Sequence, residues 1–233
     1  MTRKPDEVSA DLMQPLATLP VFYALAGRRV IVVGGGEAAA WKADLAAATG
    51  AQVEVFAKDP CDKLCEIARA RDSVVIHARE VERGDFAGAA MALGAIEDDA
   101  LAQRAHEWAR AVNVPLNLAD RPALSDFTMG AIVNRSPLVI GVSTGGASPV
   151  FAQAVRGRIE TLVPATFQAW ARAAQVWRPL VRASGLDFLA RRDFWRRFTR
   201  LAFRDIERKP LGEDRVALIE EARAGAEATA CGA

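Results

Sequence analysis

Gly34, Gly36 and Ala39 place three small residues at the spacing G-x-G-x-x-A, between Val30-Ile31-Val32-Val33 and an Ala/Leu-rich stretch that opens Glu37-Ala38. That spacing suits one chemistry. The first small residue permits a tight strand-to-helix turn, and the second lets a pyrophosphate reach the backbone. The third lets the helix pack closely on the strand, and N–H groups at the helix start, on Glu37 and Ala38, face the anion. A glycine triplet alone also occurs in purely structural turns. Here the strand-like run before it and the helix-like run after it supply the context that a dinucleotide site requires.

Other residues could complete such a site. The next strand-like run, Gln52 to Phe56, is followed by Lys58 and Asp59. A carboxylate there accepts hydrogen bonds from an adenosine ribose, whereas a cation there receives a 2′-phosphate. With both side by side, NAD is preferred and NADP stays open, as does a pair of solvated loop charges. Asp120 follows Asn117-Leu118-Ala119 at the end of a short apolar run. Ligands of open α/β sheets bind beyond the carboxyl ends of the strands, so a carboxylate there can serve as a general base. It can equally start the turn before Arg121-Pro122. Ser143-Thr144-Gly145-Gly146, just before the helix start at Ser148-Pro149, reads either as an anion-binding loop or as a plain connection.

Two further sets of residues point away from chemistry. Cys61 and Cys65 would share a helix face with no histidine near them and with Cys231 remote, so they read as small apolar residues rather than zinc ligands. His77 lies in a strand-like run and His106 in a helix, and both read as structural. The arginines of 172–209 alternate with tryptophan and phenylalanine at helical spacing. They read as a solvated face or dimer interface first, a polycarboxylate rim second and a nucleic-acid surface last.

The elements that must hold these residues follow in order. Residues 1–16 read as a flexible tail. Strands at 30–33, 52–56, 73–77, 90–96 and 115–118 alternate with helices at 37–49, 61–71 and 98–112, which predicts a Rossmann-like doubly wound parallel sheet over 17–120. In the helix over 98–112, Leu101, Ala105, Trp108 and Val112 share the expected apolar face. A hairpin from 127–133 and 138–142, turning at Asn134-Arg135-Ser136-Pro137, leads into a helix from Pro149 to Leu162; together they form a small α+β segment over 121–163. A helical domain over 164–222 would be anchored by Trp170, Trp177, Phe188, Trp195, Phe198 and Phe203, with 223–233 a frayed tail.

Composition agrees with a globular class. The chain is 51% hydrophobic and 25% charged, enough to form a core. A formal charge of +1 gives no case for nucleic acid or an anionic membrane surface. No run is apolar for long enough to span a bilayer, and the first residues lack a signal-peptide core, so a cytoplasmic location is expected.

Taken together, several motifs resemble the siroheme synthase N-terminal module, the precorrin-2 dehydrogenase and sirohydrochlorin ferrochelatase family. They are Leu19-Pro20-Val21-Phe22, Val32 to Ala39 with Lys42, Asn117-Leu118-Ala119-Asp120, Asn134 to Leu138, Val142 to Pro149, and Phe194-Trp195-Arg196-Arg197-Phe198. The resemblance implies NAD-dependent oxidation of precorrin-2 to sirohydrochlorin. In many members insertion of ferrous iron, as a substrate, follows and gives siroheme; some stand-alone members perform only the first step. It implies Asp120 as the single catalytic carboxylate of both steps, with iron passing near it and no residue acting as a standing metal ligand. Asn117, Ser143, Thr144, Gly145 and Gly146 would line the tetrapyrrole side. The homodimer would interlock through the hairpin and late helices. The sequence departs from the family at Gly94-Ala95-Ile96-Glu97, where relatives continue Ala-Thr; at the cofactor-binding position Ile96 a hydroxyl is lost. A non-catalytic NAD-sensing module on the same sheet is the alternative from another class.

Overall fold

The computed structural model describes residues 14–231. Most of the expected N-terminal tail lies outside them. Two compact units divide between Met129 and Gly130.

The first unit is a five-stranded, all-parallel sheet in the order β3-β2-β1-β4-β5. Its strands are β1 (Arg29–Val33), β2 (Gln52–Phe56), β3 (Val74–His77), β4 (Met91–Gly94) and β5 (Leu116–Leu118). Helices α1 (Glu37–Ala48), α2 (Asp62–Ala70) and α3 (Asp99–Ala111) connect them. The strand order reverses beside β1, the switch point where open α/β sheets bind ligands. Alternation along β1 feeds both faces: Val30 and Val32 join the core under α1 and α2, while Ile31 and Val33 join the core under α3. Helix α1 sits close because its inner face is alanine, with Ala39, Ala40 and Ala43 fully buried. Gly50, at φ +85°, ends its last turn beyond the Thr49 cap.

Two expectations for this unit change. Helix α3 buries Ala102, Ala105 and Ala109, so its inner face is rotated from the expected one; Trp108 is half-buried against Phe86, and Val112 is exposed at the C-cap. The small residues let the helix lie near the sheet, leaving the larger ones at the edges. The unit also runs past Asp120 to Met129. Ser125 Oγ accepts from Leu118 N at 2.9 Å, Asp126 Oδ2 from Leu116 N at 2.9 Å, and Phe127 O from Asn117 Nδ2 at 2.8 Å. Phe127 and Met129 pack on the α1-side core. Residues 121–129 thus serve β5, and the first hairpin strand begins at Ala131 rather than at Phe127.

The second unit holds the antiparallel hairpin β6 (Ala131–Arg135) and β7 (Leu138–Val142) and helices α4 (Pro149–Leu162), α5 (Phe167–Ala183), α6 (Phe188–Arg204) and α7 (Gly212–Cys231). Arg135 pairs with Leu138, so the turn shrinks from the expected four residues to Ser136-Pro137, joined by a cis peptide bond. Ser148 caps α4, its Oγ accepting from Phe151 N at 3.2 Å with Pro149 in the first turn. The hairpin and all four helices form one unit, with no break after residue 163. An edge-to-face aromatic cluster centres on Phe198, with Trp170, Trp177 and Trp195 at ring distances of 5.2, 5.6 and 5.3 Å. Phe188 and Phe203, expected as anchors, are 65% and 60% exposed. Helix α7 continues through most of the expected tail, carried by Leu218 and Ala222 in the helical core.

Candidate functional site

The turn from β1 to α1 is built for close approach. Gly34 has φ +124°, and a Cβ there would lie 2.2 Å from the Ala95 carbonyl oxygen. At Gly35 a Cβ would lie 2.3 Å from the Asp59 carbonyl oxygen. Both positions therefore exclude any side chain, one because of the loop after β4 and the other because of the loop after β2. Gly36 differs: nothing lies within 4 Å of its Cβ position, and it is exposed together with Glu37 and Ala38. Gly36 is also the N-cap of α1 and supplies no side-chain cap. The open backbone and helix N-terminus fit a dinucleotide pyrophosphate. Ala39 is fully buried and packs 3.5 Å from the Gly34 Cβ position, as the third small residue must.

Asp59 and Lys58 are both exposed at the end of β2, and Lys58 Nζ lies 3.4 Å from Glu80 Oε1. The backbone of Asp59 is pinned against Gly35, and Cys61 N donates to Gly35 O at 2.8 Å. The side chain of Ile96, in the loop after β4, is 9% exposed and packs into the α3-side core. Arg121 holds that loop: Nε donates to Ile96 O at 3.3 Å, Nη2 to Glu97 O at 2.9 Å and Nη1 to Asp99 Oδ1 at 2.5 Å.

Asp120 is exposed at the carboxyl end of β5 and has φ +57°. Few residues other than glycine adopt this region; aspartate is among those that do, which suits a short carboxylate turned out of a strand end. Three residues before it, Asn117 is 7% exposed and Lys42, from α1, is 5% exposed. Lys42 Nζ donates to Asn117 Oδ1 at 2.6 Å and lies 3.5 Å from Met129 Sδ. Burial holds the Lys42 ammonium below the ordinary lysine range, and the charge of Asp120 pulls the other way.

The structure thus gathers Gly34, Gly36, Glu37, Ala38, Lys58, Asp59, Ile96, Asn117 and Asp120 at the carboxyl edge of one sheet. Ser143, Thr144, Gly145 and Gly146 belong to the second unit. There Gly145 N donates to Ser143 Oγ at 3.2 Å, and both glycines have positive φ, 63° and 83°. Gly35, Lys42 and Arg121 complete the arrangement without having been singled out for a role from the residues alone. A lysine inside an otherwise alanine-lined helix face is the signal that could have marked Lys42. His106 Nδ1 lies 3.0 Å from Leu124 O, and His77 stacks on Phe56 at 4.7 Å. Among the described residues no three His, Cys, Asp or Glu side chains are grouped to hold a metal ion, and no helix is long and apolar enough to cross a membrane.

A parallel sheet with a glycine-rich turn at its switch point defines a Rossmann-like nucleotide-binding protein. Comparisons narrow this. A family model of NAD(P)-binding domains matches residues 21–131, and one described as the central part of a sirohaem biosynthesis protein matches 135–162. The siroheme synthase of Ectopseudomonas mendocina (strain ymp) is 40% identical over 177 residues, 76% of this chain and 38% of that protein. That of Pseudomonas aeruginosa (strain UCBPP-PA14) is 36% identical over 209 residues, 89% of this chain and 44% of that protein. The solved structure of SirC, a precorrin-2 dehydrogenase, matches with a TM-score of 0.67 at 17% identity, covering 89% of this chain and all of that one. The chain is a homologue of those siroheme synthases over most of its length. It spans about two-fifths of the length of those synthases.

Proposed function

We propose that this protein oxidises precorrin-2 to sirohydrochlorin with NAD, and then takes ferrous iron as a substrate to give siroheme. The observation that carries the reading is Asp120, turned outward by its positive φ at the end of β5 and separated from the open glycine turn only by β4 and its loop. Gly36, Glu37 and Ala38 offer N–H groups to the pyrophosphate, and Asp59 offers its carboxylate to the ribose, which favours NAD over NADP. When bound, the dinucleotide supplies the hydride acceptor. Oxidation removes a hydride and a proton from the tetrapyrrole, and Asp120 is the base that takes the proton. Arg121 keeps the loop at 96–99 closed against β5, and Ile96 meets the cofactor through its backbone. In the second step the same carboxylate accepts pyrrole N–H protons as iron enters.

The protein works in this reading as a cytoplasmic homodimer. Val150, Phe151 and Leu162, 80%, 61% and 68% exposed on α4, supply apolar surface for a second copy. Anaerobic mixing with precorrin-2 and NAD tests the proposal. NADH formation that depends on the protein, followed by an absorbance change on adding ferrous iron, is expected. No NADH from folded protein with either NAD or NADP would overturn it.

A further inference from the structure

Strands β2 and β3 end side by side, Phe56 paired with His77, and each is followed two residues later by a cation, Lys58 or Arg79. In a dinucleotide site this edge meets the adenosine ribose, where a cation receives the 2′-phosphate that distinguishes NADP from NAD. Neither cation is free to do so. Lys58 Nζ lies 3.4 Å from Glu80 Oε1, the two side chains being 66% and 47% exposed. Arg79 is drawn back along the sheet instead. Its guanidinium lies 4.8 Å from the centre of the Phe56 ring and donates twice to Asp85, at 2.7 and 2.8 Å. Asp85 sits near the opposite end of β1, where its backbone carbonyl accepts from Arg29 at 2.8 Å.

Asp59 stands in contrast. It is exposed beside Lys58, and its carboxylate makes no hydrogen bond or ion pair among the described residues. Its backbone is fixed, because its carbonyl oxygen fills the space against Gly35. The edge therefore offers an open carboxylate next to cations that are already matched by carboxylates. Neighbouring cations do not change this balance: Lys63 pairs with Glu66 on α2, and Arg83 lies on the short turn that carries Asp85. A ribose hydroxyl donates to an open carboxylate, whereas a 2′-phosphate is repelled by it.

We propose that Glu80 sets the choice of cofactor: by holding Lys58, it withholds the cation that a 2′-phosphate needs and leaves the ribose edge to Asp59, so that NAD is taken and NADP refused. The inference rests on the reading of the glycine turn as a dinucleotide site. Glu80 is a positioning residue that acts through Lys58. A surface ion pair adds little stability, so removing it leaves the fold in place while it changes the charge at the ribose edge.

Calorimetric titration of the full chain with NAD and with NADP, without tetrapyrrole, tests the proposal. Wild type is expected to prefer NAD. Glu80→Gln keeps the side-chain length and releases Lys58, so the ratio of NADP affinity to NAD affinity should rise roughly fivefold or more. Added salt should shrink that gain, because the charges involved are exposed. Introducing Lys58→Gln alongside Glu80→Gln should cancel it, since the released ammonium is what receives the phosphate. A mere loss of negative charge would keep its gain without Lys58.

An unmoved ratio in Glu80→Gln, a gain that survives the loss of Lys58, or equal wild-type affinity for the two nucleotides would each overturn the proposal. Wild type that binds neither nucleotide would refute the dinucleotide reading as well. NAD binding with an unmoved ratio would refute the role of Glu80 alone.

Discussion

The Gly34 Cβ position lies 2.2 Å from the carbonyl oxygen of Ala95, so the nucleotide turn after β1 and the loop after β4 leave no room for a methyl group between them. Gly34→Ala adds strain at φ +124° to that clash. It should destabilise the protein by about 1–3 kcal/mol or more and abolish NAD binding. Chemical denaturation and nucleotide titration check both effects, and a variant with wild-type affinity would contradict the turn geometry.

Arg121 ties β5 to the loop after β4 through three contacts, at Ile96, Glu97 and Asp99. Arg121→Ala should raise the KM for NAD by roughly tenfold, the order expected from losing hydrogen bonds worth ~1 kcal/mol each. Its melting temperature should also fall by a few degrees, because the half-buried guanidinium loses the hydrogen bonds that hold the folded loop. Steady-state kinetics with varied NAD give the ratio.

The helical part stands on packing. Phe194 is fully buried and meets Trp195 edge-to-face at 5.0 Å. Phe194→Ala should cost about 3–5 kcal/mol by opening a cavity among α5, α6 and α7. Phe203→Ala, at a side chain that is 60% exposed, should cost far less. Urea unfolding of the two variants side by side distinguishes core from surface.

Acid sensitivity should come from two carboxyls of the first unit. Arg29 donates to Glu54 at 2.7 and 2.9 Å and holds its carboxyl below the usual range. Arg79 does the same for Asp85 at 2.7 and 2.8 Å. The folded state therefore gives up these protons at lower pH than the unfolded chain does. Their contribution is complete above the unfolded values and is lost as pH falls through the folded ones, so Tm should drop as pH falls below about 5. Arg29→Met should flatten that drop in a Tm-versus-pH series.

Periodicity and punctuation made much of this architecture legible in the amino acids. The run of β-branched residues at 30–33 sits at the centre of the parallel sheet, and Ser148-Pro149 starts α4 where its capping chemistry says it should. Tertiary relationships were harder to read. That 121–129 belong with the sheet depends on Ser125, Asp126 and Phe127 bonding back to β5, contacts that no local propensity encodes. Aromatic spacing made Phe188 and Phe203 look like anchors, but the helices present those positions outward. In the site, Gly34, Gly36 and Asp120 stood out by spacing and by position after a strand. Lys42 did not, because its meaning lies in Asn117, 75 residues away.

The central claim is that Asp120 serves a dehydrogenase, and single-turnover oxidation tests it most directly. Precorrin-2 and NAD are mixed anaerobically with wild type and with Asp120→Ala, and NADH is followed at saturating substrate. The wild type should form one NADH per precorrin-2. Asp120→Ala should bind NAD with unchanged affinity but turn over at least ~100-fold more slowly, the scale of losing a positioned base. Equal rates in the two proteins would contradict the account.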